Sequence, residues 1–410
     1  MANVSSSNGL EKSPKLRFPG FDEPWNESKL SACFAKNIKK NTDGSISNVI
    51  CNSAKMGLIP QRDYFDKDIA NSDNTSGYYI IERDDFVYNP RKSSDAPYGP
   101  ISRYTYSEAG IVSPLYLCFR AKGNVDSNFF EWYFRSSAWH RYIYMTGDSG
   151  ARHDRVSIKD TDFFAMPIRY PSTTEQEKIA SFLTAIEERI SSQQLLVDNL
   201  KKYKRGAVRY LLSPKSCPLK NARWTTAKLG ELGNFVKGAP LSKADISEDG
   251  TPFILYGELY TTYNEVVTSV KRRTQAQVDE LFLSRVGDVV IPTSGETSEE
   301  ISTASCVMLP GVILAGDLNI FRSDKVDGRI MSYLLNHVVN AKIARIAQGK
   351  SVVHIQASEL GKLTLSYPDE NTQKKLIDFL SKFDDKIVIE ENALTFLTGL
   401  KEGLMQQLFI

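Results

Sequence analysis

Two stretches, YPSTTEQEKIASFLTAIEERI from Tyr170 to Ile190 and YPDENTQKKLIDFLSKFDDKI from Tyr367 to Ile387, stand 197 residues apart in a chain of 410 residues. Tyr170, Pro171, Gln176, Lys178, Ile179, Phe182 and Leu183 reappear at that offset as Tyr367, Pro368, Gln373, Lys375, Leu376, Phe379 and Leu380. This repeat constrains the fold more than any other feature. What precedes the first stretch and what lies between the two should be versions of one structural unit.

Each stretch predicts the start of a helix. The proline prevents extension backwards, and the S/T-x-x-E/Q spacing at Ser172 to Glu175 and Thr173 to Gln176 reads as a capping box; in the second copy Thr372 stands where Glu175 would be. Apolar residues then recur mostly at spacings of three and four. Both segments reach about 40 residues, or about 60 Å at 1.5 Å per residue, which exceeds a usual globular helix and suits a two-stranded coiled coil. The natural partner of each is the other copy, with Ile179, Phe182, Leu183, Ile186, Leu200, Leu376, Phe379, Leu380, Phe383 and Leu397 as the pairing core.

The segments ahead of the helices echo one another more faintly. EPWNESKL at Glu23 to Leu30 resembles ARWTTAKL at Ala222 to Leu229, DDFVYN at Asp84 parallels GDVVIP at Gly287, and LYLCFR ending at Arg120 parallels LNIFR ending at Arg322. These short β-rich runs read as strands. Helical patterns follow, each closed by a small-residue turn, GDS at Gly147 to Ser149 and GKS at Gly349 to Ser351. LLSPKSCPLKNARW has the composition of an exposed connector. The expected divisions are 15–170, a long helix over 171–212, a linker over 213–222, a second α/β region over 223–367 and a second long helix over 368–410.

Lys plus Arg number 51 against 49 Asp plus Glu, a net charge of +2, so any surface for a polyanion must be local. Five scattered cysteines without C-x-x-C spacing suggest neither a disulfide framework nor a zinc ribbon, and fit a reducing cytosol. The four histidines lack metal-ligand spacing. No uncharged apolar run of about 18 residues is present to span a bilayer, so a cytoplasmic protein with no membrane partner is expected.

The two P-x-x-x-x-Q-x-x-I/L-x-x-F-L openings at Pro171 and Pro368, each preceded by a variable α/β region that begins near W-x-x-x-K-L, resemble the specificity (S) subunits of type I restriction-modification systems. The resemblance covers nearly the whole chain. It implies an α+β fold of two tandem mixed α/β target-recognition domains, each followed by a long helix, the helices pairing as an antiparallel coiled coil with pseudo-two-fold symmetry. It implies that the two domains read the two halves of a bipartite site in double-stranded DNA, while the helices set the gap. Two modification (methyltransferase) subunits would assemble on the chain and bring S-adenosylmethionine; a restriction subunit, where present, would bring ATP and Mg. No cofactor, metal site or catalytic residue is then expected in this chain. Its sequence has neither an N-P-P-[YFW] tetrapeptide, YNPRK at Tyr88 being the nearest approach, nor a G-x-x-x-x-G-K-[ST] phosphate loop.

Contacts to bases and phosphates are expected from loops that combine glycine or proline with cationic and small polar side chains. In the first domain these supply Arg91, Lys92, Tyr98, Arg103 and Tyr104, then Ser149, Arg152, His153 and Arg155. In the second they supply Lys237, Lys243, Thr293, Ser294, Gln348, Lys350 and Ser351. The competing reading is a helical adaptor that scaffolds partner proteins without reading DNA; it predicts loops indifferent to mutation.

Overall fold

The computed structural model describes residues 13–64, 75–123, 125–148, 154–347, 349 and 352–409. The chain divides into two compact units, Met1–Gln193 together with Ala393–Ile410, and Gln194–Asn392. Each unit therefore contains one α/β region and a part of both long helices.

In the first unit the strand Asn26–Lys29 pairs antiparallel with Pro167–Tyr170, the strand that leads into the first long helix. In the second, Trp224–Lys228 pairs in the same way with Thr364–Pro368. The echo between the two W-x-x-x-K-L segments thus has a physical cause: each strand closes its region against the strand that ends it. Inside that closure lies a four-stranded antiparallel sheet in the first unit, ordered 34–36, 117–121, 86–88, 101–103, and a five-stranded sheet in the second, ordered 234–237, 318–322, 288–292, 305–307, 266–267.

Helices Ser127–Arg135 and His140–Thr146 cover the first region. Gly328–Tyr333, a π turn over Leu334–Val338, and Asn340–Ile346 do so in the second. The first core is rich in aromatic residues. Phe34 lies edge-on to Phe86, Phe119 and Phe130 at centroid distances of 5.5, 5.4 and 5.0 Å, arrangements that add to the burial of their area. The second core is mainly aliphatic, with Val289, Ile291, Ile330, Leu334, Leu335 and Ile343 inside it.

The long helices run over Thr173–Leu211 and Glu370–Leu408. Their starts are tied to the α/β regions by the repeated glutamine. Gln176 Nε2 donates to the Pro171 carbonyl at 2.9 Å and its Oε1 accepts from the Asp126 N–H at 3.3 Å; Gln373 does the same with Pro368 at 2.8 Å and Asp327 at 2.8 Å. Asp126 and Asp327 are the N-caps of the covering helices. One buried amide thus joins the entry turn of a long helix to the cap of a helix in the α/β region. The expected capping boxes do not form: Gln176 is used in this joint, and Glu175 receives a bidentate guanidinium from Arg17 at 2.7 and 2.8 Å. Asp369 caps the second helix, accepting from the Thr372 N–H at 3.2 Å and its hydroxyl at 2.9 Å.

The helices pair antiparallel. In the second unit Lys201 meets Glu391 at 2.6 Å and Lys204 meets Asp384, so the partner's number falls as the first helix advances. In the first unit Lys401 meets Glu187 at 2.8 Å. Lys204 and Lys401 stand 197 residues apart, as do Glu187 and Asp384, so one ion pair is made twice.

The expected pairing core is shared with the α/β regions. Ile179 and Leu183 are buried in the aromatic core of the first unit together with Leu408 of the second helix, and Leu376 and Leu380 in the aliphatic core of the second together with Val208 of the first helix, so the start of each helix packs on its own α/β region and on the end of the other helix. Ile186, Leu200, Phe383 and Leu397 are half-buried. Phe182 and Phe379 are 37% and 47% exposed; Phe182 leans edge-on against Phe18 and Phe379 against Phe383.

Lys204 is the centre of a buried polar cluster in the second unit. Its Nζ donates to Glu265 Oε2 at 2.6 Å and to Asp384, and lies 5.2 Å from the Tyr333 ring centroid. His337 Nε2 donates to the other Glu265 oxygen at 2.5 Å, and the Tyr333 hydroxyl donates to Asp384. Burial opposes the charge on Lys204, yet Glu265 and Asp384 outweigh it and hold the ammonium above the usual lysine range. Burial also opposes the Glu265 carboxylate, but the His337 bond and Lys204 override it and bring it down to about 2.

Lys204→Met would leave two carboxylates without their cation and should cost about 3 to 5 kcal/mol in urea unfolding at pH 7. Lys401→Met, at a more exposed pair, should cost at most about 1 kcal/mol. Because the Glu265 shift is a lowering, its stabilising share is complete above the ordinary value of 4.5 and lost as pH falls towards about 2. Glu265→Gln should flatten the acid limb of the stability curve across that window.

Candidate nucleic-acid interface

Two loops distant in sequence meet in each unit. In the first, the segment after strand Phe86–Tyr88 runs beside Asp154–Val156. Lys92 N–H donates to the Asp154 carbonyl at 2.8 Å, Val156 N–H to the Pro90 carbonyl at 2.9 Å, and Arg91 bridges Arg155 through the backbone. In the second, Ser294 and Gly295 pair antiparallel with His354 and Val353, while Thr293 N–H donates to the Asp317 carbonyl at 2.7 Å. The same topological corner, between the end of a central strand and the exit of the covering helices, is built twice.

Local chemistry explains why these loops hold their shape. Asn52 is 5% exposed and donates through Nδ2 to the Val87 carbonyl at 2.8 Å, accepts from Ser102 Oγ at 2.7 Å, and offers its own carbonyl to Asn89 at 3.1 Å. Gly99 has φ +82°, and a Cβ there would lie 2.1 Å from the Asn89 carbonyl oxygen, so only glycine closes the loop. The second unit uses Asp317, which accepts from Ser294 Oγ at 2.5 Å and holds the Thr293 turn. Neither Asn52 nor Asp317 is expected from the sequence; each is a lone polar residue whose role appears only in three dimensions.

The candidate contact residues separate into three groups. Arg91, Lys237 and Lys243 are exposed, and Lys92, Tyr98, Arg155 and Thr293 are half-buried at or near the loop junctions. Arg155 carries a buried Nε that has no hydrogen-bond partner among the described residues. Ser149, Arg152, His153, Gln348, Lys350 and Ser351 lie outside the described residues. The third group serves the fold. Tyr104 is fully buried and its hydroxyl donates to the Glu108 carbonyl at 2.8 Å. Arg103 is tied to Asp84 at 3.0 Å and Glu131 at 2.8 Å, and Ser294 is 4% exposed on Asp317. For these three the expected exposure gives way to internal partners.

The two corners differ in charge. Arg91, Lys92 and Arg155 mark the first, whereas the segment after Ser294 in the second carries Glu296, Glu299 and Glu300, with Glu300 folded back onto the N–H groups of Glu296 and Thr297 at 3.0 and 3.1 Å. A cavity of about 460 Å³ in the second unit lies elsewhere, around Lys204, Glu265, Tyr333 and Asp384. Among the described residues no group of His, Cys, Asp and Glu is arranged to hold a metal, and no helix is long and apolar enough to cross a membrane.

The family model of the Type I restriction modification DNA specificity domain matches residues 221–398. No curated protein matches the sequence significantly. Among solved structures, a chain from work described as the structural basis underlying complex assembly and conformational transition of the type I R-M system is similar over 96% of this chain and 99% of that one, with a TM-score of 0.59 and 14% identity. The Type-I restriction-modification system S subunit from M. genitalium is similar over 97% of this chain and 99% of its own, with a TM-score of 0.57 and 14% identity. At such identity these likenesses concern the fold.

Arg91→Ala and Lys237→Ala should each weaken retention on duplex DNA with little regard to sequence, and lower the slope of log K against log salt by about 0.9 for each phosphate no longer neutralised. Tyr104→Phe should leave that slope unchanged and cost about 1 kcal/mol of stability.

Proposed function

We infer that this chain, whose residues 221–398 belong to the type I restriction modification DNA specificity family, is the DNA sequence-specificity subunit of such a system. The observation that carries the reading across the whole chain is the repeated plan: two α/β regions, each closed by the same strand pair, each joined by a glutamine to a long helix, each with two loops brought to the same corner. Target-recognition domains over 15–170 and 223–367 read the two halves of a bipartite site. The helices over 171–212 and 368–410, with the linker at 213–222, hold the readers and seat two modification subunits.

Doubling the reader is physically effective. A domain in one groove sees few base pairs, and a good bidentate contact discriminates by about 1 to 3 kcal/mol. Readers on one face of the duplex engage half-sites about one helical turn, or about 34 Å, apart, which a rigid helix pair fixes and a flexible linker does not. Large apolar side chains remain exposed along the helices, among them Leu195 at 62%, Tyr203 at 73%, Ile389 at 59% and Phe396 at 69%. Such surface suits partner subunits. Those partners supply S-adenosylmethionine and methyl transfer, a restriction subunit supplies ATP- and Mg-dependent work, and this chain contributes recognition without catalysis in the cytoplasm. The near-neutral charge accords with partners that provide much of the phosphate neutralisation.

Co-expression with its modification subunit in a methylation-free host, followed by mapping of methylated bases, should give a split motif with a fixed gap. Inserting one turn in register into both helices should add about 5.4 Å and lengthen the gap by one or two base pairs. A continuous motif, or a gap that ignores the insertion, would overturn the two-reader arrangement; assembly with no motif would favour the adaptor.

A further inference from the structure

The end of helix His140–Thr146 presents Tyr144 at 70% and Met145 at 73% exposure, side by side. They are large apolar side chains turned to solvent outside the long helices. Tyr144 is braced from behind: its ring lies 6.5 Å from Tyr98, which is 5.0 Å from His140, which is 4.7 Å from the buried Trp139. Arg141 stands one turn earlier on the same face, also exposed. Just past the helix, Asp148 pairs with Ser157 through two backbone bonds, close in sequence to Asp154 and Arg155, which meet Lys92 and Arg91; Asp148 and Asp154 are the opposing charges there. A rigid aromatic and a flexible thioether next to a mainly cationic stretch of chain fit a duplex, since the cations meet phosphates while apolar side chains enter between base steps.

The second unit offers a contrast. Helices HRYIYMT and NAKIARI are both seven residues long and align on the buried Ile143 and Ile343. Tyr144 then corresponds to Ala344, Met145 to Arg345, and Arg141 to Ala341. At the aligned positions the second helix carries no such apolar pair.

We propose that Tyr144 and Met145 form a wedge that unstacks a base step in the DNA half-site read by the first domain, so that this half is recognised partly through its deformability. The proposal rests on the DNA-reading function given above. A pyrimidine–purine step, the easiest to unstack, is the expected target.

The test uses the full chain assembled with its modification subunit and duplexes bearing the mapped motif, with 2-aminopurine placed in turn at each step of either half-site. Outside the target bases that the modification subunits flip out in both halves, binding should raise fluorescence at one step of one half only, and it is this rise that is scored. Tyr144→Ala with Met145→Ala should abolish that rise and weaken binding about 10- to 100-fold, whereas Tyr144→Phe should keep both. The inference is overturned if no step brightens, if the double variant brightens it equally, or if the double variant no longer assembles with the modification subunit, which would make the pair a protein contact. Failure of the wild-type complex to select any motif would instead remove the function on which the inference depends.

Discussion

Everything in this architecture hangs on a side-chain amide made twice. An α/β region keeps a fixed angle to its long helix only if more than the chain joins them, since a single covalent connection at Pro171 or Pro368 leaves two soft dihedrals per residue free. Gln176 and Gln373 remove that freedom by bonding the entry turn and the covering-helix cap at once. Both are nearly inaccessible to water, so their polar atoms have no alternative partners and breaking the joint carries the full desolvation penalty.

Around that joint the halves diverge. The first supports its helix with Arg17 on Glu175 and packs aromatic rings beneath it, while the second uses an aspartate cap and an aliphatic core. The ion pair between the helices repeats, yet only the second copy is deeply buried and drawn into a network with Glu265 and His337. Interfaces of this kind have two-fold logic at the backbone and individual chemistry in the side chains. The loop corners follow the same rule, cationic in one half and edged by glutamates in the other.

The repeat, the long helices and the strand echoes are legible because backbone periodicity and a fixed offset survive in one dimension. The use of Gln176 is not, since a glutamine at that spacing satisfies the capping pattern as well as it satisfies the joint. Phe182 and Phe379 match the apolar stripe yet lie partly in solvent, because hydropathy does not say which side of a helix meets its neighbour. Tyr104 and Ser294 are drawn to the candidate site by residue type; burial against Glu108 and Asp317 depends on contacts the sequence does not order. The Lys204 pair with Asp384 stands at the 197-residue offset from its twin and is readable in principle, hidden only by the commonness of lysine and acid on helices.

The division of the chain into units has a consequence for how the molecule comes into being. The second unit is one continuous stretch, Gln194–Asn392, whereas the first is assembled from Met1–Gln193 and a tail that begins at Ala393. Leu408 and Phe409 lie in the first aromatic core, with Phe409 5.6 Å from Phe129. On a ribosome, the stretch up to Gln193 therefore waits for a segment made only after the whole of the second unit. During that interval the aromatic cluster around Phe129 and Tyr133 lacks its lid, so synthesis passes through a state with the earlier half unfinished and the later half already able to close.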